Sequence, residues 1–495
     1  AVGVGALQAQ SNSSDTDVFN TAVGYNAGLS TTTAVSNTLI GALAGDALTD
    51  GGENVAIGTA ALTSDTRGSH STAVGRGALQ VQNLSSATDV NNTAVGFQAG
   101  AAVTTGVQNT FVGSQAGDAT TDADENVAVG YNALSVNTVG SRSTAVGHNA
   151  LLFQNPSSAA DMDNVAVGYG AGSQVTTGVN NTFIGADAGD AVNTGSLNTF
   201  VGSNAGSATD DGESNTAVGA FALDAGNCGN NNTAIGAGAL GDSSHTGIGN
   251  TAVGKDAGNA MTTGNSNTII GGYTGNQGGL DIRTGDSNIV LSDGDGNPRG
   301  YYHGSSTSPN WIYETPTANQ YAMVVRNTHS SNPYGFFMQF TDAAPDNNTN
   351  LFFLGADNST SRFKVDSDGD VKNHDNSYGS TSDIKLKEQI ADASSQWDDI
   401  KALKVRKFKM KLDVAKGDSD AHWRLGVIAQ ELEEAGMNGL VKDDPDIDVN
   451  TMEALGTTTK SVKYSILYMK AVKALQEAMT RIETLESKVK TLEGS

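Results

Sequence analysis

The chain has 495 residues and a formal net charge of −25, with only 37% hydrophobic residues and 61 glycines. That length allows several domains, but so little apolar content and so much glycine exclude an ordinary large enzyme core and fit a slender fold lined by small side chains. The charge is uneven: residues 1–380 carry 10 Lys and Arg against 33 Asp and Glu, whereas residues 381–495 carry 18 against 20, so the acidic part excludes nucleic acid and anionic membrane as partners.

The opening residues Ala1-Val2-Gly3-Val4-Gly5 read as the middle of a repeat, as in the C-terminal piece of a longer protein. A Thr-Ala-Val-Gly unit or a near variant recurs through residues 1–275. Its glycines fall at Gly3, Gly24, Gly41, Gly58, Gly75 and onward to Gly271, mostly 17 residues apart, with spacings of 21 at Gly3, Gly75 and Gly147. A short fixed period is the mark of a solenoid. Thr-Ala-Val alternates and favours strands, and glycine then closes the strand into a turn. Each unit therefore predicts one coil, with equivalent positions stacked about 4.8 Å apart. Asn20, Asn37, Asn54, Asn92, Asn109 and Asn126 fall in one column, as an amide ladder or as turn residues that tolerate the left-handed conformation.

These Asn-Thr-Ala-Val-Gly units resemble those of trimeric autotransporter adhesin heads, which implies a left-handed parallel β-roll; the units here are longer. An inward face of Ala, Val and Gly looks too small to stabilise one thin coil, which favours three chains side by side. One coil in four is longer, through Gln10 to Asn20, Gln82 to Asn92 and Gln154 to Asn164. Those loops are expected to protrude as tolerated insertions, or as binding loops for a repetitive glycan.

Residues 276–380 lose the repeat and gain aromatics, among them Tyr301, Tyr302, Trp311, Phe336, Phe352 and Phe363. Strand-like runs separated by turn signals predict a β-rich tip domain, with Phe336, Phe352 and Phe363 in its core. Asp366, Asp368 and Asp370 imitate the start of a calcium loop, but the glycine stands fourth rather than sixth; a hairpin from Val365 to Val371 is the better reading. The seven histidines show no ligand spacing and the lone Cys228 no framework, so neither metal, cofactor nor disulfide is expected. No run of about 18 apolar residues is present, so membrane insertion is not expected.

Residues 381–495 carry three motifs in order: Thr381-Ser382-Asp383-Ile384-Lys385-Leu386-Lys387, Leu425-Gly426-Val427-Ile428-Ala429-Gln430-Glu431, and Tyr464-Ser465-Ile466-Leu467. Between them, Ile400 to Met410 read as helix then strand, Gly426 to Gln430 as a buried strand, and Glu431 to Ala435 as the start of a helix. From Tyr464 the pattern is a coiled coil over residues 464–493, with Leu475, Ile482 and Val489 at position a and Leu485 and Leu492 at d. The three motifs resemble the self-cleaving intramolecular chaperone domain at the C-terminus of phage tailspikes and tail fibres. The resemblance implies a trimer and a cut between Thr381 and Ser382, with Ser382 as nucleophile and Lys387 as base; Lys385 is the rival base. Spacing alone does not join Ser382 to Lys387, because five residues apart is on different faces of a helix and of a strand.

The fold class expected is mainly β: a parallel β-roll shaft over 1–275, a β tip over 276–380, and an α+β chaperone over 381–495. The function expected is a homotrimeric tail fibre on a virion, joined to the tail through an N-terminal part and attached to a bacterial surface receptor, a glycan or an outer-membrane component. A bacterial surface adhesin with the same modules is the alternative. A glycan-degrading tailspike ranks third, since no carboxylate pair stands out from the general acidity. Sixteen similar coils can slip out of register, which is a physical reason for a module that aligns three chains first.

Overall fold

The computed structural model describes residues 1–11, 17–224, 226, 228–242, 245–304, 311–313, 351–356, 360–367, 370–373, 387–411, 423–447 and 454–494. The chain forms two compact units, Ala1–Phe336 and Phe337–Ser495. The first is a β-solenoid. Three-residue strands stack in parallel without a shift in register: Thr21, Ala22 and Val23 pair with Thr38, Leu39 and Ile40. The same pairing repeats to Thr268–Ile270, which meets Ile289, Val290 and Leu291. No helix occurs among the described residues of this unit.

The stack thus continues past residue 275, where the shaft was expected to end. Asn288-Ile289-Val290-Leu291 forms one more rung, and the Asn288 N–H donates to Asn267 Oδ1 at 2.9 Å as on earlier rungs. Pro298–Tyr302 and Trp311–Tyr313 then add antiparallel. Residues 276–380 accordingly fall in both units. Of their aromatics, Tyr302, Trp311 and Tyr313 lie ring against ring on these last strands.

From Asn37 onward the column of asparagines is buried, and its bonds run mainly from side chain to main chain. Asn109 N–H donates to Asn92 Oδ1 at 2.8 Å, and Asn126 N–H to Asn109 Oδ1 at 2.9 Å. Most of the amides also donate across the coil, as Asn92 Nδ2 does to Gly106 O at 2.8 Å, whereas Asn215 Nδ2 has no partner among the described residues. Left-handed backbone belongs instead to the residue before the asparagine, such as Ser36 at φ 58° or Gln108 at φ 62°. On the long coils Ser71 and Ser143 interrupt the column, and a buried glutamine bridges the gap. Gln82 Nε2 donates to Asp65 Oδ2 and Ser71 Oγ, and Gln82 Oε1 accepts from Asn92. The added residues do not simply protrude: Thr88–Asp89 pairs in parallel with Gly68–Ser69, leaving Ser85 and Ser86 exposed at the tip. The equivalent residues 12–16 of the first long loop lie outside the described residues.

The middle residue of each strand points inward and is fully buried within one chain: Ala56, Ala73, Phe111, Phe183 and Phe200 are all 0% exposed. The interior therefore closes without a second chain, contrary to the expectation that Ala, Val and Gly alone would leave it too thin. The corner residue after the next alanine is small where its own strand centre or that of the next rung is large: a Cβ on Gly100 would lie 2.8 Å from Phe111 of the next rung. Where the strand centre is Ala56, that corner holds Leu62; where it is Phe111, it holds Gly117. A Cβ on Gly117 would lie 2.4 Å from Phe111 Cε1. The backbone there is not the obstacle, since Leu62 adopts φ 54° at the same place and Gly117 adopts 58°. Phe111→Ala is expected to cost about 3–5 kcal/mol in a urea melt. Adding Gly117→Leu should recover part of that loss by refilling the corner; no recovery would contradict the exchange.

His245 is fully buried, and neither ring nitrogen has a hydrogen-bond partner among the described residues. Burial lowers its pKa to about 4, against a smaller opposing influence of Asp242. The unfolded chain takes up that proton near pH 6.5, the folded chain only near pH 4. The resulting stability is complete above pH 6.5 and is lost as pH falls to about 4, by roughly 3 kcal/mol in all. Asp190 shifts the other way, raised to about 6 chiefly by burial, so the test is a difference. The stability of wild type relative to His245→Leu should fall between pH 6.5 and 4 in urea melts; a constant difference would contradict the assignment.

The outward face is where the solenoid lacks cover. The third strand residue is Val or Ile on rung after rung, and Val23, Ile40, Val95, Val167, Ile184, Ile235 and Ile270 are 36–47% exposed. They form a β-branched ridge along the stack.

Candidate functional site

The second unit opens with a three-stranded antiparallel sheet, Leu351–Ala356, Ser361–Asp366 and Val371–Asn373. Val365 pairs with Val371 as the hairpin reading requires; Asp368 and Gly369 at its tip lie outside the described residues. Buried Asp366 meets Lys372 at 2.5 Å and Lys364 at 3.1 Å, and the Lys372 ammonium holds its carboxyl below the usual range. Two lysines thus supply the positive charge a calcium ion would bring. Phe363 packs on Phe353 with ring centroids 5.8 Å apart, but it is 38% exposed in the single chain, not a core residue. Phe336 lies outside the described residues.

Beyond the sheet, the helix Trp397–Ala402 leads to the strand Arg406–Phe408, which pairs antiparallel with Arg424–Gly426. The next helix is Ala429–Glu434, so the strand ends four residues earlier, at Gly426, and the helix begins two residues earlier than the sequence suggested. Ala429 and Gln430 are helical because only Ala429 and Leu432 of this turn need burial, which a helical spacing of three provides. Val427, Leu432, Met437, Leu440 and Leu467 form a small core. Two of the three sequence motifs meet there. The Tyr464 hydroxyl accepts from Val427 N–H at 3.4 Å, and a Cβ on Gly426 would lie 2.9 Å from that hydroxyl. Glu431 receives a bidentate pair from Arg406, at 2.9 Å from Nε and 2.5 Å from Nη2, which keeps its carboxyl below the usual range.

Sequence reasoning missed two features of this unit. One is a long hairpin, Val441–Ile447 against Ala454–Val462. It is tied by Lys460 to Asp443 at 2.8 Å and by Ser461 to Asp444 at 2.6 Å. Its β-branched run Thr457 to Thr459 was the available signal, masked by the Pro445 and acidic residues opposite. The other is a docking contact between the start of the unit's first helix and the last helix, Tyr464–Glu493. Ser395 Oγ donates to Glu477 at 2.7 Å and Gln396 N–H donates to it at 3.1 Å. Lys470 donates to Gln396 Oε1 and to Asp399, each at 2.5 Å, and the Arg481 guanidinium lies 4.2 Å from the Trp397 ring centroid.

Of the predicted catalytic residues, Thr381, Ser382 and Lys385 lie outside the described residues. Lys387 is described and is exposed in the single chain. The heptad residues all lie on the helix 464–493 and face away from the unit's core: Leu475 is 62% exposed, and Ile482, Leu485, Val489 and Leu492 are at least half exposed. Among the described residues no group of three His, Cys, Asp or Glu gathers as a metal site, and no helix is long and apolar enough to cross a membrane.

Residues 382–442 match a peptidase family described as the chaperone of endosialidase. The match begins at the predicted nucleophile and takes in the paired strands and the helix that carries Glu431. Such a domain implies self-cleaving chaperone activity. Together with the solenoid it fits a fibre or tailspike that carries an intramolecular chaperone. No curated protein and no solved structure matches the chain.

Proposed function

We propose that this chain, which carries a chaperone of endosialidase domain from residue 382, is one subunit of a homotrimeric phage tail fibre that attaches the virion to a bacterial surface receptor. The observation that supports it most is the pairing of that domain with a self-closed solenoid whose Val and Ile ridge is partly uncovered, most at residues such as Val23, Ile184 and Ile270. Burying the exposed fraction of one such side chain stabilises by about 1 kcal/mol, so a dozen rungs together give on the order of 12 kcal/mol, comparable with the roughly 4–15 kcal/mol that association costs. The heptad residues of the last helix offer a second self-complementary seam. A receptor of glycan or outer-membrane character suits an acidic, repetitive shaft. The resemblance of the repeats to adhesin heads supports a second reading, a bacterial surface adhesin; a virion-joining segment or a secretion signal upstream would discriminate the two.

In this reading the chaperone domain aligns three chains and is then cut off. Ser382 Oγ attacks the Thr381 carbonyl carbon while Lys387 Nζ takes the hydroxyl proton. The Thr381–Ser382 C–N bond breaks as that proton passes to the Ser382 nitrogen, leaving an ester that water hydrolyses to a Thr381 carboxylate and the restored hydroxyl. A lysine serves as base only when desolvation lowers its pKa from about 10.4. Lys387 is exposed in one chain, so its cover comes from assembly, which makes the cut follow trimerisation. Sedimentation of the Ser382→Ala chain should give a trimer mass; a folded monomer would overturn the proposal.

A further inference from the structure

The contacts between residues 395–399 and the last helix have a place in this chemistry, given the self-cleavage reading above. Residues 387–395 are exposed and carry no helix or strand. At the end of this stretch the chain is pinned through Ser395, Gln396, Trp397 and Asp399 to one flank of the helix Tyr464–Glu493. Glu477 receives two hydrogen bonds, Lys470 gives two, and Arg481 covers Trp397. The partners are 71 to 84 residues apart in sequence, so this is a tertiary tether rather than a local cap. It also lies beside the heptad seam: Leu475 and Ala471 line the same apolar hollow as Trp397 and Ile400.

We propose that this contact is a positioning clamp for the cut. By fixing Ser395 to Asp399 on the helix that carries the trimer seam, it holds Lys387, only eight residues upstream of Ser395, in the space where assembly covers it. Eight residues span at most about 25 Å, so anchoring their end confines the base to that reach of the last helix. Lys470, Glu477 and Arg481 touch no reacting atom, so they are positioning residues. Their effect is on how often the reactive arrangement is reached. The clamp links the seam to the cut, so a chain whose last helix is not docked stays whole.

The test follows the rate of self-cleavage of the full chain on denaturing gels, with sedimentation of each variant alongside. Glu477→Gln and Arg481→Ala should still form trimers but should cut about tenfold more slowly, equivalent to about 1.4 kcal/mol. Lys470→Glu should slow the cut similarly, and Lys470→Glu with Asp399→Lys should restore it. A purely structural contact would not give that rescue in rate while trimer content stays constant. Cleavage of wild type should also slow between low salt and 1 M NaCl, where exposed ion pairs are screened. Variants that trimerise and cut at the wild-type rate would overturn the clamp alone. So would slow cutting that tracks lost trimer, with no recovery in the charge-swapped pair. A wild-type chain that trimerises and never cuts would overturn the self-cleavage reading, and the clamp with it.

Discussion

Gly130→Ala is expected to open the solenoid at its rung. Gly130 adopts φ +135°, and a Cβ there would lie 2.4 Å from Gly147 O and 2.6 Å from its carbonyl carbon. The obstacle is the backbone of the next rung, which cannot rotate aside as a side chain can. Its neighbours in the column, Gly113 and Gly147, face the same contact at 2.4 and 2.1 Å. Strain in such a conformation costs about 1–3 kcal/mol before the clash is counted, and the sum belongs to the exceptional class of single substitutions above about 4 kcal/mol. Because a solenoid is stabilised by its nearest-neighbour interfaces, one lifted rung weakens two. A thermal melt should show a shift of ten degrees or more, on the order of what that loss implies. Thr59→Ala, at an exposed position just after the same glycine column, should stay within about 0.5 kcal/mol. Equal melting of the two variants would refute the stacked-glycine account.

The second large effect is on the cut. Ser382→Ala should leave the chain whole, because it removes the only hydroxyl adjacent to the Thr381 carbonyl on the C-terminal side. Lys387→Ala should do the same, since an unassisted serine is a weak nucleophile at neutral pH. Lys385→Ala should still cut. The uncut variants should assemble but dissociate more readily than the processed fibre, because removing the aligning module leaves a kinetically locked product. Cutting at wild-type rate by Lys387→Ala, together with its loss in Lys385→Ala, would move the base to Lys385.

What was legible in the sequence follows from how local the signal was. The coil was legible because Thr-Ala-Val-Gly repeats at a fixed spacing and each unit makes the same contacts. The extra rung at Ile289–Leu291 was hidden by a spacing of 21 from Asn267 to Asn288 and by the loss of the Thr-Ala pair. The exchange between Phe111 and Gly117 was in plain sight as Ala-Gly versus Ala-Leu units, but its meaning needs the inward direction of the strand centre. The asparagine column was legible and its bonding was not, because an amide such as that of Asn92 or Asn109 reaches 14 residues ahead to a carbonyl. In the C-terminal unit, Tyr464 and Gly426 were recognised as motif residues, while their contact was not. The clamp left no trace, since Glu477 and Arg481 read as ordinary polar positions on a heptad helix.

The measurement that tests the central claim most directly is the intact mass of the wild-type chain after it has assembled, with sedimentation of the same sample. A trimeric heavy product ending at Thr381 and a separate fragment beginning at Ser382 are predicted. A trimer or monomer that retains the whole chain, with no fragment beginning at Ser382, would contradict the account.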